Sequence, residues 1–87
     1  MPERSVQIVN KLGIHARPAA EIVKTAAKFG SEITIIREDM EVNGKSIMGV
    51  MMLAAECGSM IDIKAEGTDA EAALDALAAV IADGFGE

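Results

Sequence analysis

Within 87 residues, the apolar positions of this chain switch repeatedly between the two-residue repeat of a strand and the roughly 3.6-residue repeat of a helix. That alternation restricts the fold to short strands and helices that share one small core. Val6 and Ile8 alternate with Ser5 and Gln7, as in a half-buried strand. Asn10-Lys11-Leu12-Gly13 reads as a loop. From Ala16 the spacing turns helical: Ala19, Ile22, Val23, Ala26 and Ala27 form a stripe, with Glu21, Lys24 and Lys28 off it. Gly30 is placed as the C′ stop of that helix.

Ile33 and Ile35 then alternate with Glu32 and Thr34. After the polar Arg37-Glu38-Asp39, Met40-Glu41-Val42 gives a short third strand, so a hairpin is predicted. Asn43-Gly44 marks a turn. Ser46 begins a short apolar stretch, Ile47 to Leu53, in which Met48, Met51 and Met52 favour helix and Gly49 weakens it. Ile61, Ile63 and Ala65 alternate with Asp62 and Lys64, the clearest strand of the chain. Thr68 and Glu71 have capping-box spacing, with Thr68 as N-cap. Ala70, Ala73, Leu74, Leu77 and Ile81 share one face of the last helix, which Gly84 ends. The order is βαββαβα, read as a single domain over residues 1–87. It is an α+β fold of two layers, with three helices on one face of a four-stranded sheet.

Composition narrows the function. There is no Trp or Tyr, and Phe29 and Phe85 are the only aromatics, so aliphatic side chains, Ala and six Met must fill the interior. So few aromatics argue against a base-stacking platform, and a net charge of −6 argues against a nonspecific nucleic-acid binder. No apolar run approaches the roughly 20 residues of a membrane span. Met1-Pro2-Glu3-Arg4 lacks the core of a signal peptide. The single Cys57 has no internal partner for a disulfide, which suits a reducing cytoplasm, and is read as a small buried or half-buried residue. Asp69, Glu71, Asp75 and Asp83 read as a solvated helix face. Phe85-Gly86-Glu87 reads as a tail, whose Glu87 is a candidate to approach the functional site.

That candidate site is Gly13-Ile14-His15-Ala16-Arg17-Pro18, which holds the only histidine. A proline costs nothing in a first helical turn, where N–H groups have no intrahelical acceptor. Pro18 therefore places His15 near the N-cap, beside the backbone amides of Ala16 and Arg17. A helix N-terminus holds anions through those donors and the positive end of its dipole. Arg17 adds a planar fork suited to phosphate, and Gly13 lets the loop approach its surroundings closely. Imidazole attacks phosphorus only when unprotonated; with an ordinary pKa of about 6.5 it is mostly neutral in the cytoplasm. The helix end and Arg17 both disfavour the imidazolium. A phosphate then carried on the ring, at roughly −1.5 to −2 charges, is stabilised by the same donors. A lone histidine at a helix start is more often plain surface. Metal binding is disfavoured because no cysteines or acids cluster around it. No Gly-rich nucleotide loop, acid–base pair or cofactor motif is present.

The segment Gly-Ile-His-Ala-Arg-Pro-Ala-Ala at 13–20 resembles the active-site motif of the histidine-containing phosphocarrier family, HPr. Lys45-Ser46-Ile47-Met48-Gly49-Val50-Met51 resembles the family's second motif at the expected distance, and the resemblance covers essentially the whole chain. It implies an open-faced β-sandwich whose antiparallel strands run in the order 1-4-2-3. It implies phosphorylation of His15 at Nδ1 by Enzyme I, which draws on phosphoenolpyruvate, and onward transfer to Enzyme II A components that feed sugar uptake. Arg17 matches the arginine that pairs with the phosphoryl group. Such a protein is a stoichiometric carrier, not an enzyme. Asn10-Lys11-Leu12-Gly13 looks more like the nitrogen-related branch of the family. The Ser46 region looks more like the sugar branch of bacteria that possess a serine kinase for this protein.

Ser46 itself reads first as a plain N-cap, a reading compatible with regulation. The resemblance implies a target of a serine kinase and phosphorylase here. Ile47, Met48 and Met51, with Met52, cannot all face inward from one short helix, so a partly exposed apolar patch is expected near His15. Arg17, Lys24, Lys28 and Lys45 are candidates to ring it and steer acidic partners. Three functions compete: sugar-transport phosphocarrier, nitrogen-linked regulatory phosphocarrier, and a module whose Ser46-phosphorylated form docks on a transcription regulator. A monomer is expected.

Overall fold

The computed structural model describes residues 2–86. In chain order the elements are β1 (Glu3–Gln7), α1 (Ala16–Ala26), β2 (Glu32–Arg37), β3 (Met40–Asn43), α2 (Ile47–Met52), β4 (Met60–Glu66) and α3 (Ala70–Ala82), followed by a 3-10 turn at Gly84–Gly86. The strands form one antiparallel sheet in the order β1-β4-β2-β3. Alternation decides which face is covered. Ile33 and Ile35 of β2 and Ile61, Ile63 and Ala65 of β4 are buried, while Glu32, Thr34, Asp62 and Lys64 face the other way. The helices close the apolar face with Ala19, Ile22 and Ala26 from α1, Val50 from α2, and Ala73, Leu74, Leu77 and Ile81 from α3. Each fully buried Ile or Leu contributes about 1.5–3 kcal/mol of transfer free energy. The opposite face carries no helix layer, so the expected α+β two-layer, open-faced architecture is what the chain adopts. Among the described residues, no helix is long and apolar enough to cross a membrane.

Several local expectations need correction. Helix α1 ends at Ala26; Ala27 is its C-cap and is exposed, and buried Thr25 takes a place in the apolar stripe. The amides of Lys28 and Phe29 bond the carbonyls three residues back, so a tightened last turn ends the helix. Gly30 is not left-handed and is no C′ stop. Gly84, at φ +66°, does end α3 in that manner. Phe85 is not a tail: its ring is buried in the core, since in a chain so poor in aromatics it is too large an apolar surface to leave in water. Glu87 lies outside the described residues. Cys57 is exposed, because it stands in the α2–β4 turn where the backbone turns inward: the Gly58 amide donates to Ile8 and the Ser59 amide to Glu56.

The start of α3 also differs. Its N-cap is Asp69, one residue after Thr68, and the Asp69 carboxylate does not cap its own helix. It accepts from the Gly30 amide at 2.9 Å, the Ser31 amide at 3.0 Å and the Ser31 hydroxyl. Three donors from the α1–β2 loop outcompete one first-turn amide, and the loop is fastened to α3. Glu71 and Asp75 are not simply solvated either; both pair with Arg4 of β1, at 3.8 and 2.6 Å.

The hydroxyl of Ser31, then the amide of Gly30, hold the Asp69 carboxyl below the usual range. A carboxylate favoured in the folded state stabilises it above the unfolded pKa, and that stability is lost as pH falls through the folded value. Asp69→Asn should therefore melt below the wild type at neutral pH. The gap should narrow as pH drops below about 4. Thermal melts across pH 2–7 check this; parallel curves would exclude it.

Candidate functional site

The segment before α1 is held in place by the backbone. Leaving β1, Ile8 stays tied to the α2–β4 turn: its amide donates to Ser59 at 2.9 Å and its carbonyl accepts from Gly58 at 2.7 Å. The chain then folds into a turn. The Gly13 amide donates to the Asn10 carbonyl at 3.1 Å, and the Asn10 side-chain amide donates to the Gly13 carbonyl at 2.6 Å. The His15 amide reaches the same Gly13 carbonyl at 3.1 Å. Next, the Ile14 amide donates to the Ala55 carbonyl at 2.9 Å while the Ile14 side chain enters the core. Gly13 has φ +68°, and a Cβ there would lie 2.4 Å from the Ala55 oxygen. This is the close approach for which a glycine is required.

His15 is the N-cap of α1, in extended conformation, and its ring makes no capping bond to the first turn. Its carbonyl accepts the first helical bond, from Ala19, at 3.0 Å. The ring is half-exposed, and Arg17 is exposed in the turn that follows. Pro18 is buried as the third helical residue, where its missing N–H is not needed. Ala16 and Arg17 form the first turn, at the positive end of the helix that carries the ring. An imidazole, the positive end of a helix dipole and a guanidinium thus lie close in sequence at the surface. A concavity along β2 and β3, lined by Glu32, Thr34, Glu41, Asn43 and Lys45 among others, does not include His15. The histidine sits on a surface that another protein can reach.

The second motif lies on α2, which packs against α1. Ser46 is its N-cap; its hydroxyl accepts from the Gly49 amide at 3.1 Å. Only Val50 of α2, with Leu53 just beyond, is buried; Ile47, Met48, Met51 and Met52 are 44%, 72%, 39% and 63% exposed. The carbonyl of Ala55, a few residues past α2, is the one that anchors Ile14, so α2 ends against the His15 loop. Lys24 is exposed in the last turn of α1, and Lys28 is exposed beyond it. Lys45 is half-buried, and its ammonium donates to the Phe29 carbonyl at 2.8 Å near the C-terminal end of α1. It therefore has a structural task as well as a candidate docking one. Among the described residues, no group of three His, Cys, Asp or Glu side chains is disposed to hold a metal ion.

Asn10 is the site residue that sequence reasoning overlooked. The sequence places Asn10 in a loop and in the nitrogen-like Asn10-Lys11-Leu12-Gly13, and gives no sign that its side chain donates to the Gly13 carbonyl.

Gly13→Ala should destabilise the fold by at least about 1–2 kcal/mol from the left-handed backbone alone, with the Ala55 clash added. That corresponds to a melting temperature lower by about 5–15 °C. Gly58→Ala is the control: at φ +93° it meets no atom within 4 Å, so it bears only the backbone penalty. Equal losses in the two variants would count against a packing role for Gly13.

Comparison with known proteins agrees with this geometry. The family described as "PTS HPr component phosphorylation site" matches residues 2–83. The phosphocarrier protein HPr of Cupriavidus necator is 47% identical over 87 residues, covering 100% of this chain and 98% of that protein. The phosphocarrier protein NPr of Shewanella violacea is 41% identical over 85 residues, or 98% of this chain and 93% of that one. Among solved structures, HPr from Thermoanaerobacter tengcongensis superposes with a TM-score of 0.96 at 47% identity, over 100% of this chain and 98% of the other. The chain belongs to the HPr family of phosphocarrier proteins.

Proposed function

We propose that this chain is the phosphoryl carrier of a phosphoenolpyruvate-dependent sugar phosphotransferase system. His15 takes phosphate from Enzyme I and yields it to Enzyme II A proteins. The observation that carries this reading is the half-exposed His15 ring at the N-cap of α1, making no capping bond to the first turn and two residues before the exposed Arg17. The lone pair of Nδ1 attacks phosphorus as the donor's bond to phosphorus breaks; the next acceptor reverses this. Arg17 and the amides of Ala16 and Arg17 offset the charge of the bound phosphoryl group. Because they are few and at the surface, they do not trap it.

The carrier works as one domain and a monomer in the cytoplasm, without cofactor, metal, nucleic acid or membrane. Partners dock on Ile47, Met48 and Met51, steered by Lys24 and Lys45. Flexible methionines suit a surface that meets several proteins in turn. A kinase acting on Ser46 would add charge to that surface at an N-cap that tolerates it, weakening docking on acidic partners with little change of fold. The same modified face suits a transcription regulator. A second reading, a nitrogen-related carrier that moves no sugar, is favoured by Asn10-Lys11-Leu12-Gly13 and by the likeness to NPr.

Incubation with Enzyme I and labelled phosphoenolpyruvate tests the reading. Acid-labile label should appear on the wild type and pass to a sugar-specific Enzyme II A; passage only to a nitrogen-related acceptor would select the second reading. His15→Ala should take up no label, and label retained by that variant would exclude His15 as the carrier residue. Ser46→Asp should slow labelling about tenfold or more through lost docking, with an unchanged far-UV spectrum. A wild-type rate would exclude that mode of regulation.

A further inference from the structure

We infer that Asn10 is a positioning residue for phosphoryl transfer, an inference that rests on His15 being the phosphate acceptor. Asn10 is only 5% exposed, a rare setting for a loop amide. The C-terminal turn lies against it: a Cβ on Gly84 would stand 3.7 Å from the Asn10 Cβ. In that enclosed place its side-chain amide donates to the Gly13 carbonyl at 2.6 Å. The same oxygen is 3.1 Å from the His15 backbone nitrogen, whose hydrogen it accepts. The Asn10 amide and the N-cap residue that bears the nucleophile are therefore joined through a single carbonyl.

Two physical effects follow. First, the turn is closed twice, by the Gly13 amide on the Asn10 carbonyl and by the Asn10 side chain on the Gly13 carbonyl. The direction in which the chain enters α1, and hence where the His15 ring stands, is then not left to a flexible loop. Second, the Gly13 oxygen is a negative dipole end close to the residue that must accept a dianion. With two donors on it, its orientation is fixed. Without Asn10, the carbonyl loses one of these donors, and the Gly13–Ile14 peptide, still bonded to the His15 amide and to Ala55, can tilt about those bonds. Reaction geometry is steep: a displacement of about 1 Å can cost up to roughly 100-fold in rate.

Asn10 is buried and is not among the residues proposed for docking, so the inference separates catalytic turnover from docking. The test uses the full chain with Enzyme I and phosphoenolpyruvate, each variant well below its melting temperature with folding checked by circular dichroism. Wild-type protein that takes no label on His15 would overturn the carrier reading and this inference with it. With label present, Asn10→Ala should lower kcat for transfer about tenfold and leave the KM for the carrier within about twofold. Asn10→Asp should be slower still, because a carboxylate repels the Gly13 oxygen. Asn10→Ser keeps a donor on a shorter arm and should recover part of the loss. It also decides the matter if the other two fail to fold. Folded variants with wild-type kcat, or with KM alone raised, would overturn the assignment, since a merely structural Asn10 would shift only the melting temperature.

Discussion

The hydrogen bond from the Ile14 amide to the Ala55 carbonyl is the join on which the site depends. It binds the loop that leads into α1 to the segment that follows α2, parts of the chain about forty residues apart (in keeping with the many non-local pairings of such a sheet). Helices α1 and α2 also pack directly on each other, and this bond adds a fixed join between the loop that begins α1 and the segment that follows α2. Gly13 makes the contact possible by coming close enough to Ala55, and Ile14 secures it by burying its side chain beside the amide that donates. The His15 loop and the exposed apolar face of α2 are thereby tied to each other by loop bonding as well as by helix packing.

The core is what allows such economy. With two aromatics, the interior relies on branched aliphatic side chains that fit closely between a sheet and its helices. The helices cover only one face of the sheet, so each is half core and half surface. Helix α2 is the extreme case, giving Val50 to the interior and four apolar side chains to water. In a chain of this size, the interior is already filled by α1 and α3, and α2 has little left to cover. An exposed cluster of this kind is unusual on a small protein with no use for it.

Much of this was legible in the residues. Strands β2 and β4 and helix α3 show clean periodicity, and the burial of Ile33, Ile35, Ile61, Ile63, Leu74, Leu77 and Ile81 follows from it. His15 as a helix start was readable because Pro18 tolerates so few helical positions. Strand order was not readable from spacing and came from the resemblance alone. What escaped depends on groups far apart in the chain. Asp69 looked like part of a solvated face, since nothing near it announces that Gly30 and Ser31 arrive with three donors. Phe85 looked like a tail because a left-handed turn after a helix-ending glycine cannot be inferred from one aromatic. Asn10 was hidden for the same reason: Gly84, which lies against it, is at the other end of the chain.

That last arrangement bears on how the protein is made. Synthesis runs from the N-terminus, so the loop bearing His15 emerges early, yet the lid over Asn10 is built from Gly84 and the core it shares is plugged by Phe85. Strand β1 likewise waits for β4 before it has a neighbour. A nascent chain on the ribosome therefore cannot finish its reactive loop until Gly84–Gly86 have been translated and released from the exit tunnel. Products that stop short of Gly84 would leave Asn10 uncovered, whatever their motif.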